Sequence, residues 1–319
     1  MTKVTTKTKE ALPYLDDFLL SLQTNNYSPE TVYNYERDLG VLADFINELK
    51  LPFTKLDKKA IDRYKAYLTS RDRRTSTKHN LGVRLKSYSI NRMLSSLRAY
   101  LRYLIELDHP TPLPPEAVKL VKTERKHPQV AELNELVKLI ESPNQLEKNK
   151  LVAERNRAML EVLFATGMRI SELTSLNRNQ IDTTGRIFIT GKGKKQRFVY
   201  LTPRAIKQLE FYLKQRADKL SALFIPYRGE NAGKTTRRIS NNYLQMKIKQ
   251  YRETLGINVP TSAHSLRHGF ATYLAEQGAN PAAIQVLLGH ESLDTTTRYV
   301  HASDRYAETT HRKFHPLKQ

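Results

Sequence analysis

The sequence predicts a mainly α-helical chain with one small antiparallel sheet, an α+β arrangement in two domains. Three observations predict it. Apolar residues recur at helical spacing through most of the 319 residues. Two short alternating stretches meet at a Gly-Lys-Gly turn in "GRIFITGKGKKQRFVYL". Between residues 108 and 128, "DHPTPLPPEAVKLVKTERKHP" carries five prolines and no periodicity, which divides the helices into two sets. The length is sufficient for two separate cores.

In the first set, Ser28-Pro29 is a cap with proline at the first helical position. It opens a helix in which Val32, Tyr35, Leu39, Leu42 and Ile46 share a face. "DKKAIDRYKAYLTS" reads as a second helix. "SINRMLSSLRAYLRYLIEL" reads as a third, with Ile90, Leu94, Leu97, Leu101 and Leu104 in one stripe. No strand pattern precedes the prolines, so an all-helical domain over residues 1–122 is expected, including the start of the linker. The proline-rich composition predicts a stiff, exposed linker.

Residues 123–319 read as a mixed domain. "ERNRAMLEVLFATG" is helical and stops at Gly167. The two short strands follow, joined at their glycine turn. Thr202-Pro203 caps a helix carrying Ile206, Leu209 and Leu213, and Leu244, Ile248, Tyr251 and Leu255 mark another ending at Gly256. Three short helical segments come next, around 264–277, 281–288 (Asn280 as cap, Pro281 first) and 294–300. The tail "ASDRYAETTHRKFHPLKQ" reads as a final helix.

Charge narrows the function. Lys and Arg number 53 against 32 Asp and Glu, a formal net charge of +21. Such an excess favours a polyanionic partner. A membrane fits poorly, because no run of 18 apolar residues exists and "MTKVTTKTKE" lacks the apolar core of a signal peptide. With no cysteine, disulfides, thiolate metal sites and cysteine nucleophiles are excluded. From Arg71 to Arg102 there are nine Lys/Arg residues and one acid, Asp72. Charge runs are commonly solvated faces. Here, however, Arg92, Arg98 and Arg102 fall on a helix, and a rigid basic face suits phosphate contacts. Arg71, Arg73, Arg74, Lys78, Arg84, Lys86, Arg92 and Arg98 are therefore the candidate DNA contacts.

Four basic clusters fall in the second domain. "TGMRISEL" places Arg169 after a glycine helix stop. "GKGKK" places Lys192 at a hairpin tip. "HSLRH" sets His264 and Arg267 on one helical face, and "LGH" places His290 after a glycine. Singly, each has an ordinary explanation: a surface arginine, a solubilising lysine, a local packing contact.

Together with Tyr299 they carry a resemblance. "ATGMRISEL", "GKGKKQRFVYL", "HSLRHGFATYLAEQGANPAAIQVLLGH" and "TTTRYVH" resemble the tyrosine recombinases, or phage-type integrases, and are most similar to the Xer-type site-specific recombinases. The resemblance covers nearly the whole chain, and "YSPETVYNYERDL" looks like part of a DNA-clamping core-binding domain. It implies Arg169, Lys192, His264, Arg267 and His290 as the catalytic pocket, Tyr299 as nucleophile and Glu172 as a supporting residue. It implies no metal and no cofactor. The partner it implies is a double-stranded recombination site, bound by a tetramer on two sites or by a paired recombinase, in the nucleoid of the cytoplasm. Chromosome dimer resolution and mobile-element transfer both fit. Two departures stand out: the basic stretch 71–87 is longer than in compact members, and no extra N-terminal arm-binding domain is expected.

The chemistry agrees with these residue types. Cutting a phosphodiester needs a nucleophile, charge stabilisation on the phosphoryl oxygens and a proton for the leaving oxygen. Tyrosine, with a free pKa of about 10, needs activation by its surroundings. Arginine forks match two non-bridging oxygens where a lysine cannot. Histidines exchange protons near neutrality, and Lys192 is placed to protonate the 5′-oxygen. A type IB topoisomerase-like nicking and sealing enzyme would use the same chemistry. A basic helical protein that binds DNA without cutting it is the alternative from another class.

Overall fold

The computed structural model describes residues 12–70, 72–75, 78–123, 129–191, 196–229, 232 and 237–289. The chain forms two compact units, Met1–Lys126 and His127–Gln319.

The first unit contains helices α1 (Leu15–Thr24), α2 (Pro29–Glu48), α3 (Lys58–Ser70) and α4 (Ser87–Glu106). Helix α2 starts where the sequence signals it, with Ser28 Oγ accepting from the Thr31 N–H at 3.2 Å and Pro29 in the first turn. Leu39, Leu42 and Ile46 of α2 meet Leu94, Leu97, Leu101 and Leu104 of α4 in one core, which Phe18 and Tyr100 fill edge to face. Asp38 is buried among them. Its Oδ2 accepts from Arg92 at 2.5 Å and from Ser96 Oγ at 3.1 Å.

Two expectations for this unit are corrected. It is not all-helical: β1 (Asp72–Thr75) and β2 (Lys78–Arg84) pair antiparallel between α3 and α4, with a register shift at Asp72/Arg73. "DRRT" holds no apolar residue, so alternation of polarity had nothing to reveal there. Nor is the start of the proline-rich segment an exposed linker. Leu113, Pro115 and Val118 are buried, the two hydrophobics in this core, and the Asn91 amide exchanges two hydrogen bonds with the Val121 backbone, at 2.8 and 2.9 Å. The prolines stiffen a strap that is tied down by its few apolar side chains and one amide.

The second unit is built on α7 (Lys150–Thr166). The preceding helices are α5 (Leu133–Glu141) and the single turn α6 (Pro143–Leu146). Ala158, Met159, Leu160, Val162 and Leu163 of α7 are buried, as are Asn156 and Arg155, so this helix lies inside its unit. After it come α8 (Ile170–Ser175) and the antiparallel pair β3 (Arg186–Thr190) and β4 (Gln196–Tyr200), in register from Arg186↔Tyr200 to Thr190↔Gln196. Ile187, Ile189 and Val199 point inward and alternate with exposed neighbours. Helices α9 (Pro203–Lys214) and α10 (Asn241–Thr254) close the core with Leu209, Tyr212, Leu244 and Ile248. Finally α11 (Ala263–Glu276) and α12 (Pro281–Leu288) pack through Ala271, Ala275, Ile284 and Leu288. The expected segment 294–300 and the tail helix lie outside the described residues.

Candidate active site

Helix α7 ends at Gly167, whose φ of 60° is left-handed and whose Cβ position would lie 2.3 Å from the Phe270 ring. Only glycine fits there. The turn delivers Arg169 as the residue before α8. Glu172, one turn on, reaches back: its carboxylate accepts from the Arg169 N–H at 2.7 Å and from the Arg169 guanidinium at 2.9 Å. Glu172 is buried, yet its pKa is lowered. Burial works against ionisation, but hydrogen bonds from Arg197 and Arg169 outweigh it.

Arg197 was not among the residues singled out from the sequence. It stands on β4 at a core-facing position, in register with Val199, and is buried. Its two terminal nitrogens each take one Glu172 oxygen, at 3.0 and 2.8 Å, and its Nε donates to the Leu287 carbonyl at 2.8 Å. The sequence did carry a signal for it. In "QRFVYL" the inward positions run Arg-Val-Leu, and an arginine in a core register calls for a buried acidic partner.

Arg267 comes from α11 and is also buried. It donates to the Gly167 carbonyl at 2.8 Å and to the Leu288 carbonyl at 2.7 Å. Arg169 completes the set with a long contact to the Gly289 carbonyl at 3.4 Å. The last carbonyls of α12 thus face three arginines, where both the unpaired C=O groups and the negative helix end favour cations. His264 lies one turn before Arg267, on the surface, with its Nε2 3.1 Å from His268 Nε2. Desolvation, then the charges of Arg267 and Arg169, lower the His264 pKa. For His268, desolvation, His264 and Arg267 bring it to about 4.

Arg169, Glu172, His264 and Arg267 are therefore gathered in one place. Lys192, His290 and Tyr299 lie outside the described residues, but their flanks are informative. A Cβ on Gly191 would sit 3.0 Å from Glu172 Oε1 and 3.1 Å from an Arg197 terminal nitrogen. A Cβ on Gly289 would meet Arg197 at 3.1 Å. The residues immediately before Lys192 and before His290 both lie beside the same cluster, with no room for a side chain. Among the described residues no group of three or more His, Cys, Asp or Glu could hold a metal ion, and no helix is long and apolar enough to cross a membrane. A cleft of about 710 Å³ beside Glu147, Arg155 and Lys247 shares no residue with this cluster.

The candidate DNA contacts fall on the first unit. Arg71 lies outside the described residues, and Arg73, Arg74 and Lys78 belong to the hairpin. Arg84 donates to the Ser70 carbonyl, Lys86 is exposed ahead of α4, and Arg98 is half-buried on α4. Arg92 is held by Asp38 and keeps 39% of its side chain exposed.

A helical unit followed by a mixed unit with this arginine cluster defines a class. Residues 15–107 match the phage integrase N-terminal SAM-like domain, and residues 129–305 match the phage integrase family. The chain belongs to the phage integrase family, as a tyrosine recombinase of the Xer type that carries out site-specific DNA recombination. It is 30% identical to tyrosine recombinase XerD of Staphylococcus epidermidis over 311 residues, covering 95% of this chain and 98% of that one. It is 32% identical to tyrosine recombinase XerC of Lactobacillus delbrueckii subsp. bulgaricus over 314 residues, covering 95% and 99%. The fold is shared with XerH recombinase bound to its palindromic difH substrate (TM-score 0.71, 22% identity, 93% of this chain and 82% of that chain).

Proposed function

We propose that this recombinase cuts and rejoins each strand through a 3′-phosphotyrosine bond to Tyr299, without metal or ATP. The observation that carries the reading is the convergence of Arg169, Arg267 and the Glu172–Arg197 pair on the end of α12, whose chain continues into His290 and Tyr299. Arg169 presents N–H donors to the non-bridging oxygens, where charge grows in the transition state, and the buried Arg267, whose terminal nitrogens hold the Gly167 and Leu288 carbonyls, adds its positive charge behind them. His264 and His290 hold and pass protons, and Lys192 protonates the departing 5′-oxygen. The Tyr299 oxygen attacks phosphorus as the 5′-oxygen leaves. The covalent bond keeps the energy of the broken linkage, so a 5′-hydroxyl from another strand can displace the tyrosine.

The first domain, residues 1–122, clamps the duplex through Arg71, Arg73, Arg74, Lys78, Arg84, Lys86, Arg92 and Arg98, and residues 123–319 cut it. λ integrase has been solved as a tetramer bound to a Holliday junction. For this chain we infer the same assembly on two double-stranded sites, alone or with a second recombinase, acting on DNA in the cytoplasm. Chromosome dimer resolution and mobile-element transfer both fit this chemistry. The test is Tyr299→Phe on a nicked suicide substrate in excess EDTA. Wild type should give a covalent adduct under these conditions, and the variant should bind DNA and give none. An adduct in the variant would move the nucleophile, with Tyr306 the next residue to test. A strict need for Mg²⁺ would refute the mechanism.

A further inference from the structure

Glu172 poses an electrostatic problem for the reaction just proposed. A carboxylate 2.9 Å from the Arg169 guanidinium cancels the charge that the scissile phosphate requires. The geometry resolves it. Arg197 takes both Glu172 oxygens, at 3.0 and 2.8 Å, while Arg169 uses one guanidinium nitrogen and its backbone N–H. Exposure separates the two arginines. The side chains of Glu172 and Arg197 are 4% and 7% exposed, whereas that of Arg169 is 34% exposed. The inner arginine is enclosed with the acid, and the outer one keeps a free edge toward solvent. Counting charges, Arg169, Glu172 and Arg197 together carry +1, and without Arg197 they would carry none.

We infer that Arg197 is a positioning residue of strand cleavage: it neutralises Glu172, so that Glu172 can orient Arg169 without cancelling its charge at the phosphate. Arg197 touches no substrate in this role. Its Nε bond to the Leu287 carbonyl and the close approach of Gly191 and Gly289 explain why a second arginine fits there and a lysine does not. A lysine could not span both carboxylate oxygens and the helix end at once.

The inference rests on the proposed role of Arg169, and the experiment separates the two. Single-turnover cleavage at saturating DNA is measured for wild type, Arg169→Ala, Arg197→Ala, Glu172→Gln and the Arg197→Ala/Glu172→Gln pair. Thermal melts and gel-shift binding confirm that each variant is folded and bound. Arg197→Ala should slow cleavage about 10²-fold, the lower end of what losing a direct charge donor costs. The double variant, whose Arg169 is again uncancelled, should cleave at least about tenfold faster than Arg197→Ala, a coupling that independent sites would not show. A methylphosphonate substrate, neutral at the scissile phosphate, should shrink the Arg197→Ala defect to within about tenfold, since less charge needs stabilising there. A double variant no faster than Arg197→Ala, or an equal defect on both substrates, would make Arg197 a purely structural tie and overturn the inference. Wild-type cleavage by Arg169→Ala would overturn the site reading and this inference together. A dead Arg169→Ala beside an unaffected Arg197→Ala would overturn the inference alone.

Discussion

At the scale of single residues, Lys192 is the one whose role is most open to direct chemistry. If it supplies the leaving-group proton, Lys192→Ala should slow the ordinary substrate by about 10²–10⁴-fold. A substrate with sulfur at the 5′-bridging position leaves as a thiolate and should be cut by the variant nearly as fast as by wild type, while Arg169→Ala should gain nothing. Equal defects on both substrates would direct the search for the acid to Lys194, Lys195 or a histidine. The helix stop at Gly167 and the helix start after Arg169 were legible because both are written in adjacent positions. Arg197 was not, because its partners Glu172 and Leu287 lie 25 and 90 positions away. His268 supports a second prediction. Desolvation and the neighbouring His264 and Arg267 hold its pKa at about 4, below the ordinary 6.5, so the unfolded chain binds its proton first. The stability this represents is complete above pH 6.5 and is lost as pH falls toward 4. His268→Gln should therefore lose less stability than wild type between pH 7 and 5, read as the change in urea midpoint. A parallel loss in both proteins would show that the imidazole is protonated without cost in the fold.

At the scale of elements, caps and stripes gave most helices to within a turn, and β3–β4 followed from its alternation and glycines. Hairpin β1–β2 did not, since no apolar period marks "DRRT". The segment 108–121 was misread for a related reason: proline count describes stiffness, not where a stiff segment lies. The end of α12 yields a prediction at this scale. Gly289 and Gly256 both end helical segments with nearly equal left-handed φ, 63° and 67°, but only Gly289 has neighbours a Cβ would crowd. Alanine at either site should cost about 1–2 kcal/mol in stability from the left-handed backbone alone. Only Gly289→Ala should also impair cleavage, because it pushes on Arg197 and the chain entering His290. Equal cleavage rates in the two variants would mean that the exit of α12 tolerates displacement.

For the whole molecule, the excess of basic over acidic residues makes DNA binding a counterion-release process. The log affinity should fall linearly with log salt, with a slope of about −0.9 per phosphate contacted. The candidate basic residues should divide into two behaviours. Replacing Lys86 and Arg98 by alanine should make the slope shallower without moving the melting temperature. Arg92→Ala should also lower stability, by about 1–3 kcal/mol, because it strips a hydrogen bond from an enclosed carboxylate. That carboxylate is Asp38, whose pKa burial raises despite the opposing charge of Arg92. An unchanged slope in the Lys86/Arg98 variant would place the phosphate contacts on another face.

The arginine ties at the end of α12 also set an order of events during synthesis. Arg169 waits 120 residues for Gly289, Arg197 waits 90 for Leu287, and Arg267 reaches back 100 to Gly167. Contacts of such separation form late, after local helices and the inner core. A ribosome-bound chain that has not yet released α12 thus already holds Arg169, Arg197 and Arg267 but lacks the carbonyls on which they converge.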